Sequence, residues 1–306
     1  MFQGRKLLIA TKHKKEKAIA PIFEKEFGVS CFVSDKFDTD TLGTFSGEIA
    51  RKEDALTTLR NKCLLAMEAN NCDLCIASEG SFGMHPTIFI AQADDEMLIF
   101  IDKKNELEII AREISMDTNF NGSEIKNEAE LMEFATQVKF PSHGLILKTS
   151  ETYIKKPFTS DETKKWVPDN QILNTFSEEK DISKIVKGIT DEKILKENFH
   201  EMMKEFGQVY VETDMRAMYN PTRMEVIEKA TLKLVNSIRS LCPMCETPGF
   251  VVSDAKMGLP CECCNSATRS TLSFIYTCKK CNHISEELYP HKKTTEDPTY
   301  CDFCNP

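Results

Sequence analysis

The sequence predicts an α/β protein, a mixed sheet with flanking helices, followed by a small C-terminal double zinc-ribbon module. Two observations carry that expectation. Through residues 1–240, short apolar runs alternate with stretches of helical spacing. Within residues 241–306, nine of the chain's 13 cysteines fall into short pairs. The expected domains are therefore an α/β domain over 1–240 and a cysteine-rich module over 241–306.

In chain order, Lys6–Ala10 is a short apolar run suited to a buried strand. Residues 14–27 carry Ile19, Ile22, Phe23 and Phe27 at helical spacing and stop at Gly28, a helix-ending residue. Residues 30–33 predict a second strand. Leu56, Leu59, Cys63 and Met67 share one face of a helix over 54–69. A strand over 73–77 follows, then a hairpin of 87–92 and 97–102 turning at the acidic Ala93-Asp-Asp-Glu96. Residues 106–114 and 128–137 read as helices, and 144–148 as a strand. The stretch 150–177 is polar and reads as an insertion or long loop. A helix over 191–206, a strand over 209–212 and a long helix over 221–240 complete the domain, the last with Asn220 as N-cap and Pro221 in its first turn.

The cysteine pairs are Cys242-Pro-Met-Cys245, Cys261-Glu-Cys263-Cys264, Cys278-Lys-Lys-Cys281 and Cys301-Asp-Phe-Cys304. A C-x-x-C turn sets two thiolates on one side of a knuckle, and two knuckles close a tetrahedral zinc site of four thiolates. Such a site has no open position for substrate, so two structural zinc ions are expected. Sequential pairing, 242/245 with 261/264 and 278/281 with 301/304, is favoured over a cross-braced one. Each interval resembles a zinc ribbon with a hairpin after its first knuckle, and Cys264-Asn265 and Cys304-Asn305 end alike. Cys263 is then the spare, although its replacing Cys261 or Cys264 stays open. His283 and His291 are substitute ligands that eight cysteines make unnecessary.

Composition bounds the function. Apolar content of 41% and charged content of 28% are those of a globular protein, and no apolar run approaches membrane-spanning length. The start has an apolar stretch only from Leu7 to Thr11, too short for a secretory signal. A cytoplasmic, reducing compartment is expected, in which paired cysteines bind metal rather than form disulfides. A net charge of −9 argues against general nucleic-acid binding. The module is acidic too, with six Lys/Arg against eight Asp/Glu from residue 241 onward. Protein contact or stabilisation suits it better.

Three segments could carry chemistry. Thr11-Lys12-His13-Lys14-Lys15-Glu16-Lys17, ahead of the first helix, suits an anion such as phosphate; the bland alternative is a solvated lysine-rich turn. It lacks the glycines of a P-loop or dinucleotide fingerprint. Ala77-Ser-Glu79-Gly-Ser-Phe-Gly83 reads as a strand end turning into a glycine-permitted loop, where Glu79 could hold Mg2+. Its alternative is a turn with a solvated carboxylate. Glu212-Thr-Asp214-Met-Arg216 with Arg223 offers carboxylates and phosphate-binding guanidiniums, or an ion-pair network that fixes the last helix.

Ala10-Thr-Lys-His-Lys-Lys-Glu16, Gly43-Thr-Phe-Ser-Gly47, Ala77–Gly83, Glu212–Ala217 and Asn220-Pro-Thr-Arg-Met224 together resemble an uncharacterised bacterial family, domain of unknown function number 6671. That likeness covers nearly the whole chain and implies no activity. A fainter likeness rests on Thr11 to Lys17, Arg60-Asn-Lys62 and Ser78-Glu-Gly80. It is similar to the inosine/xanthosine triphosphate pyrophosphatase-like proteins, with His13 in place of asparagine and a second acidic loop residue missing. The likeness implies a Mg2+-dependent nucleotide hydrolase in which Lys12, Lys14 or Lys17, with Arg216 or Arg223, neutralises phosphate. Glu79, with Asp214 or Glu212, would then hold Mg2+ and the attacking water. The alternative, from another class, is a non-catalytic adaptor whose zinc module contacts a protein.

Overall fold

The computed structural model describes residues 1–38, 54–88, 90–149 and 184–306. The Gly43–Gly47 motif and the polar stretch 150–177 lie outside the described residues. By its internal contacts the chain divides into two compact units. The first comprises Met1–Ser81, Asp95–Ile114 and Glu225–Pro306; the second comprises Phe82–Asp94 and Ser115–Met224.

The first unit opens with β1 (Lys6–Ala10), α1 (Glu16–Phe27), β2 (Ser30–Phe32), α2 (Ala55–Asn70), β3 (Leu74–Met84), β4 (Gln92–Asp102) and β5 (Leu107–Ser115). The strands form a five-stranded sheet in the order β2-β1-β3-β4-β5. β1 runs parallel to β2 and to β3, with Leu8 opposite Phe32 and Ala10 opposite Ala77. β4 and β5 are joined by residues 103–106, a link that only antiparallel neighbours can use, so the sheet is mixed. Alternation along the strands feeds two cores. Leu8, Ala10, Cys75 and Ala77 pack under Leu59, Cys63, Ala66 and Met67 of α2. Phe23 of α1 stacks on Phe100, with ring centroids 6.0 Å apart.

Local signals set the helix ends. Asp54 caps α2 by accepting from the amides of Leu56 and Thr57, both at 3.0 Å. Gly28 closes α1 in the left-handed conformation at φ 62°, which glycine adopts without steric cost. At the far end of the sheet, buried Asp102 accepts two bonds from Arg5, at 2.6 and 2.8 Å. Burial acts to raise its carboxyl pKa, but the bonds from Arg5 and Asn105 outweigh it and hold it below the usual range. The stabilisation is therefore complete above the ordinary carboxyl value, near 4, and is lost as pH falls through the lower folded value. Asp102→Asn should cost about 1–3 kcal/mol at neutral pH, because Arg5 loses its buried charged partner and keeps only half-exposed Asp73, at 3.1 Å. Urea unfolding should also lose part of its acid dependence in that variant.

Two segments depart from the sequence expectation. Residues 106–114 form a strand, not a helix. Leu107, Ile110 and Ile114 satisfy helical spacing, but Leu107, Ile109 and Ala111 satisfy the strand period, and those three are buried. Across the sheet Arg112 reaches Asp95 at 2.7 Å, so the acidic run 93–96 lies inside β4 rather than forming a turn. The hairpin is accordingly β3 with β4, and the turn lies between them.

The second unit contains β6 (Gly122–Ile125), α3 (Glu128–Gln137), β7 (Leu145–Lys148), β8 (Ile185–Ile189), α4 (Glu192–Phe206) and β9 (Val209–Thr213). β6 and β8 have no counterpart in the sequence expectation. Their sheet, ordered β6-β9-β7-β8, has antiparallel pairing throughout. Leu131 and Phe134 of α3, with Leu195, Phe199 and Met202 of α4, cover Leu145, Leu147, Val209 and Val211. Asn127 and Asp191 cap the two helices as their positions suggest.

α5 (Pro221–Arg239) leads into the C-terminal module. Its exit is firm: the amides of Gly249 and Phe250 both donate to the Ser240 carbonyl at 2.9 Å. Beyond it, β10 (Val252–Met257), β11 (Thr271–Thr277) and β12 (Ile284–Leu288) make an antiparallel sheet in that order. β10 is exposed along its whole length. This sheet buries little apolar surface of its own and depends on what sits at its ends. Among the described residues, no helix is long and apolar enough to cross a membrane.

Candidate metal centres and anion site

The four knuckles are built alike. In each, the amide of the residue after the second cysteine donates back to the first cysteine's carbonyl, at 2.8 to 3.0 Å for Glu246, Asn265, Asn282 and Asn305. Glu246, Asn265 and Asn282 have φ of 55–60°. Asparagine tolerates that left-handed region better than most residues. The recurrence of Cys-Asn thus reflects the knuckle's own backbone and carries no information about pairing.

The structure corrects the pairing. Cys242, Cys245, Cys278 and Cys281 form one cluster, and Cys261, Cys264, Cys301 and Cys304 the other. The arrangement is cross-braced, not sequential. Each inter-knuckle interval contains one strand rather than a hairpin, and a single strand carries the chain to the opposite end of the sheet. β10 therefore separates the first knuckle from the second, and antiparallel β11 returns the third to the first. β12 then runs back, and Glu296 bonds on both sides of the second knuckle, donating to Pro260 and accepting from Glu262. That bridge sets the fourth knuckle beside the second.

The donor sets fit zinc. Four sulfurs at 2.3 Å from a tetrahedral ion lie about 3.8 Å apart, far beyond the roughly 2.05 Å of a disulfide. Cys242–Cys281 and Cys245–Cys278 are 3.6 Å apart, Cys264–Cys301 3.7 Å and Cys261–Cys304 3.8 Å. The Thr247 hydroxyl and amide pull the Cys245 thiol down to about 6, and those of Ser266 do the same for Cys264. In the same clusters the His283 amide pulls Cys281 down but is outweighed by its bonds to the neighbouring thiols and by desolvation, which push it up to about 12, and Cys304 is pushed up by Cys264. The crowded sulfurs thus share protons that a bound cation would displace. Cys263 is exposed and outside both clusters. His283 stacks against Phe250 and His291 packs edge-on to Phe274, so neither is a ligand.

A second group of polar side chains sits where β1 ends. The order β2-β1-β3 reverses the direction of winding at β1, and in open α/β sheets the crevice at such a switch point, beyond the strands' carboxyl ends, is where ligands bind. Thr11 begins the loop there and accepts from the His13 amide at 3.3 Å. Lys15, which is not among the lysines the sequence assigns to phosphate, is the buried lysine of the loop. Its Nζ donates to Ser78 Oγ at 2.9 Å. Lys12 pairs instead with Asp38 at 2.5 Å, and Lys14 takes a left-handed φ of 58°. Lys17 lies within α1.

Glu79 is not in a loop. β3 continues through Met84, so the glycines at 80 and 83 do not make the expected turn. β1 stops opposite Ala77, which leaves Ser78 and Glu79 on the stretch of β3 beyond its partner. The two residues face opposite sides of the sheet by strand alternation. Ser78 meets Lys15, and Glu79 forms a buried ion pair with Lys62 of α2.

Glu212, Asp214, Arg216 and Arg223 belong to the second unit, whereas Glu79 belongs to the first. Each has a local partner. Glu212 pairs with Lys148 at 2.5 Å. Fully buried Asp214 accepts from Arg216 at 2.6 Å and from the Gly188 amide at 3.0 Å. Arg216 lies over the Tyr219 ring at 4.7 Å, and Gly188, at φ 70°, has no Cβ to collide with that ring. Arg223 donates to the Met215 carbonyl and lies 4.9 Å from the Phe82 ring centroid. These contacts match the ion-pair network that was the alternative for this segment. Glu79, Glu212 and Asp214 each already face a cation, so they do not fit a Mg2+ site, and no step is assigned to that ion.

Among curated proteins, none matches the chain. A family description does match, as "Domain of unknown function (DUF6671)", over residues 62–178 and 166–306. The matched stretches include Lys62, Glu79 and all four knuckles but stop short of the Thr11–Lys17 loop. Because they span most of the chain, the protein belongs to the domain-of-unknown-function family DUF6671.

Proposed function

We propose that this protein binds a phosphorylated small molecule, with nucleotides the leading class, at the carboxyl ends of β1 and β3, and that two structural zinc ions hold its C-terminal sheet. The observation that carries the first half is the switch point at β1, with Thr11, Lys15 and Ser78 around it. Lys15 there is a buried cation that donates to the hydroxyl and carbonyl oxygens of Ser78, and a phosphate oxygen is a stronger acceptor than either of these two. The hydrolytic form of this reading, a nucleotide pyrophosphatase, is supported by the order of its motifs alone and needs a metal that Glu79 does not offer while bound to Lys62. The binding form needs no Mg2+. A cytoplasmic location belongs to the same reading, since eight thiolates persist as ligands only where reductants prevent disulfide formation.

Thermal shift against inorganic phosphate, pyrophosphate and nucleoside triphosphates, with and without Mg2+, tests it. A ligand at 100 times its Kd stabilises by about 2.7 kcal/mol. Lys15→Met should weaken the responding ligand by about 10- to 150-fold, the effect of one charged hydrogen bond worth roughly 1.5–3 kcal/mol. The proposal is lost if no phosphate compound moves the melting temperature, or if Lys15→Met leaves the shift intact.

A further inference from the structure

We infer that His143 is a proton-operated latch: neutral, it ties the turn 139–143 to the first turn of α5, and protonated it lets go. The latch lies wholly within the second unit. His143 follows α3 in a turn closed by its own amide, which donates to the Lys139 carbonyl at 3.2 Å. Both His143 and Thr222, the second residue of α5, are buried.

Donor and acceptor chemistry fixes the state of the ring. The Thr222 amide reaches Nε2 at 3.3 Å, and an amide only donates, so Nε2 carries a lone pair. The Thr222 hydroxyl, 2.9 Å from the same nitrogen, therefore donates to it as well. That hydroxyl oxygen in turn accepts from Lys139 Nζ at 3.5 Å. On the other side of the ring, Ser142 gives its single proton to the Lys139 carbonyl at 2.6 Å. Its oxygen, 3.0 Å from Nδ1, is left to accept. His143 is thereby set as the neutral Nδ1–H form. It also completes the helix cap, because amides in a first turn have no carbonyl one turn back. The Asn220 side chain serves the Arg223 amide at 3.0 Å, and the imidazole serves Thr222.

A second proton, on Nε2, undoes this arrangement. It sets N–H against N–H, takes the acceptor from the Thr222 hydroxyl, and adds positive charge where the helix N-terminus already carries some. The charged groups around the turn do not offset it. Lys139 is a cation, and so is Arg223, which donates to the Met215 carbonyl. The Asp214 amide meets the Gly144 carbonyl, but its carboxylate is held by Arg216 and by the Gly188 amide. Folding therefore favours the neutral ring. An unfolded histidine takes up its proton near about pH 6.5. The latch accordingly contributes in full above that pH and is lost as pH falls below it, towards the lower folded value.

The test is NMR on the full, zinc-loaded chain, with zinc content measured at each pH. Long-range proton–nitrogen spectra at neutral pH should show His143 as the Nδ1–H tautomer. Its ring should titrate at least about one unit below the ordinary histidine value, a proton affinity at least about tenfold weaker. Exchange protection of the Thr222 amide should fall at least about tenfold across that same titration. Thr222→Val removes the hydroxyl and keeps the amide, so the midpoint should rise towards the ordinary value. His143→Gln offers an acceptor with no proton to gain, and its Thr222 protection should not respond to pH down to about 5. Should His143→Gln fail to fold, the wild-type tautomer and the Thr222→Val titration decide the matter. An Nε2–H tautomer, a midpoint within about one unit of the ordinary value, or a midpoint that Thr222→Val leaves in place overturns the inference. So does Thr222 protection that falls equally in His143→Gln.

Discussion

Replacing Cys242 and Cys278 together by serine should leave one zinc per chain, whereas replacing Cys278 and Cys301 together should leave none. The first pair lies in one cluster and the second pair is split between the two. Sequential pairing would give the reverse. Elemental analysis of the two double variants therefore decides the topology without a solved metal position, and using Cys301 avoids rescue by nearby Cys263. The expected consequence is large, since a structural zinc site contributes an apparent binding free energy of about 10–16 kcal/mol that is coupled to folding. Both outer strands of the module's sheet are largely exposed, so little else holds them. Loss of one cluster should fray one end of that sheet, and strong chelators should unfold the module.

Glu79→Gln should destabilise the first unit by about 3–5 kcal/mol, because it strands the Lys62 ammonium in a buried site. Lys62 and Glu79 are each about 10% exposed in their side chains, too little for water to replace the lost partner. The double variant Glu79→Gln with Lys62→Met should recover most of that loss. Chemical denaturation of the three variants measures it. Recovery in the double variant would identify the pair as structural; a stable Glu79→Gln chain that loses phosphate-dependent stabilisation would instead give the carboxylate a role in ligand binding. If Glu79→Gln costs under about 1 kcal/mol, the pair is not buried as described.

The errors of the sequence reading share a cause. Residues 106–114 satisfy both the helical and the strand period, and only their place beside β4, which buries Leu107, Ile109 and Ala111, chooses between them. The acidic run 93–96 looks like a turn until Arg112 is known to stand across from Asp95. Gly80 and Gly83 suggest a bend, yet β4 pairs along the same stretch and keeps it straight. Lys15 could not be told from Lys12, Lys14 and Lys17 around it, because burial against Ser78 depends on a strand 63 residues away. By contrast, β1, α3, α4 and α5 were legible, since a buried apolar run, an N-cap and a helical stripe are properties of adjacent residues.

From the sequence alone came the α/β class, the eight cysteines that gather into two candidate metal sites, Cys263 as the one outside them, and the acidic character of the module. Each follows from residue type and short spacing, which covalent geometry converts directly into local structure. The tertiary structure decided which knuckles share an ion, which lysine is buried at the switch point, and that Glu79 is answered by Lys62. Those outcomes depend on how many times the chain crosses a sheet between two points. An antiparallel strand sends successive knuckles to opposite ends, whatever the number of residues between them.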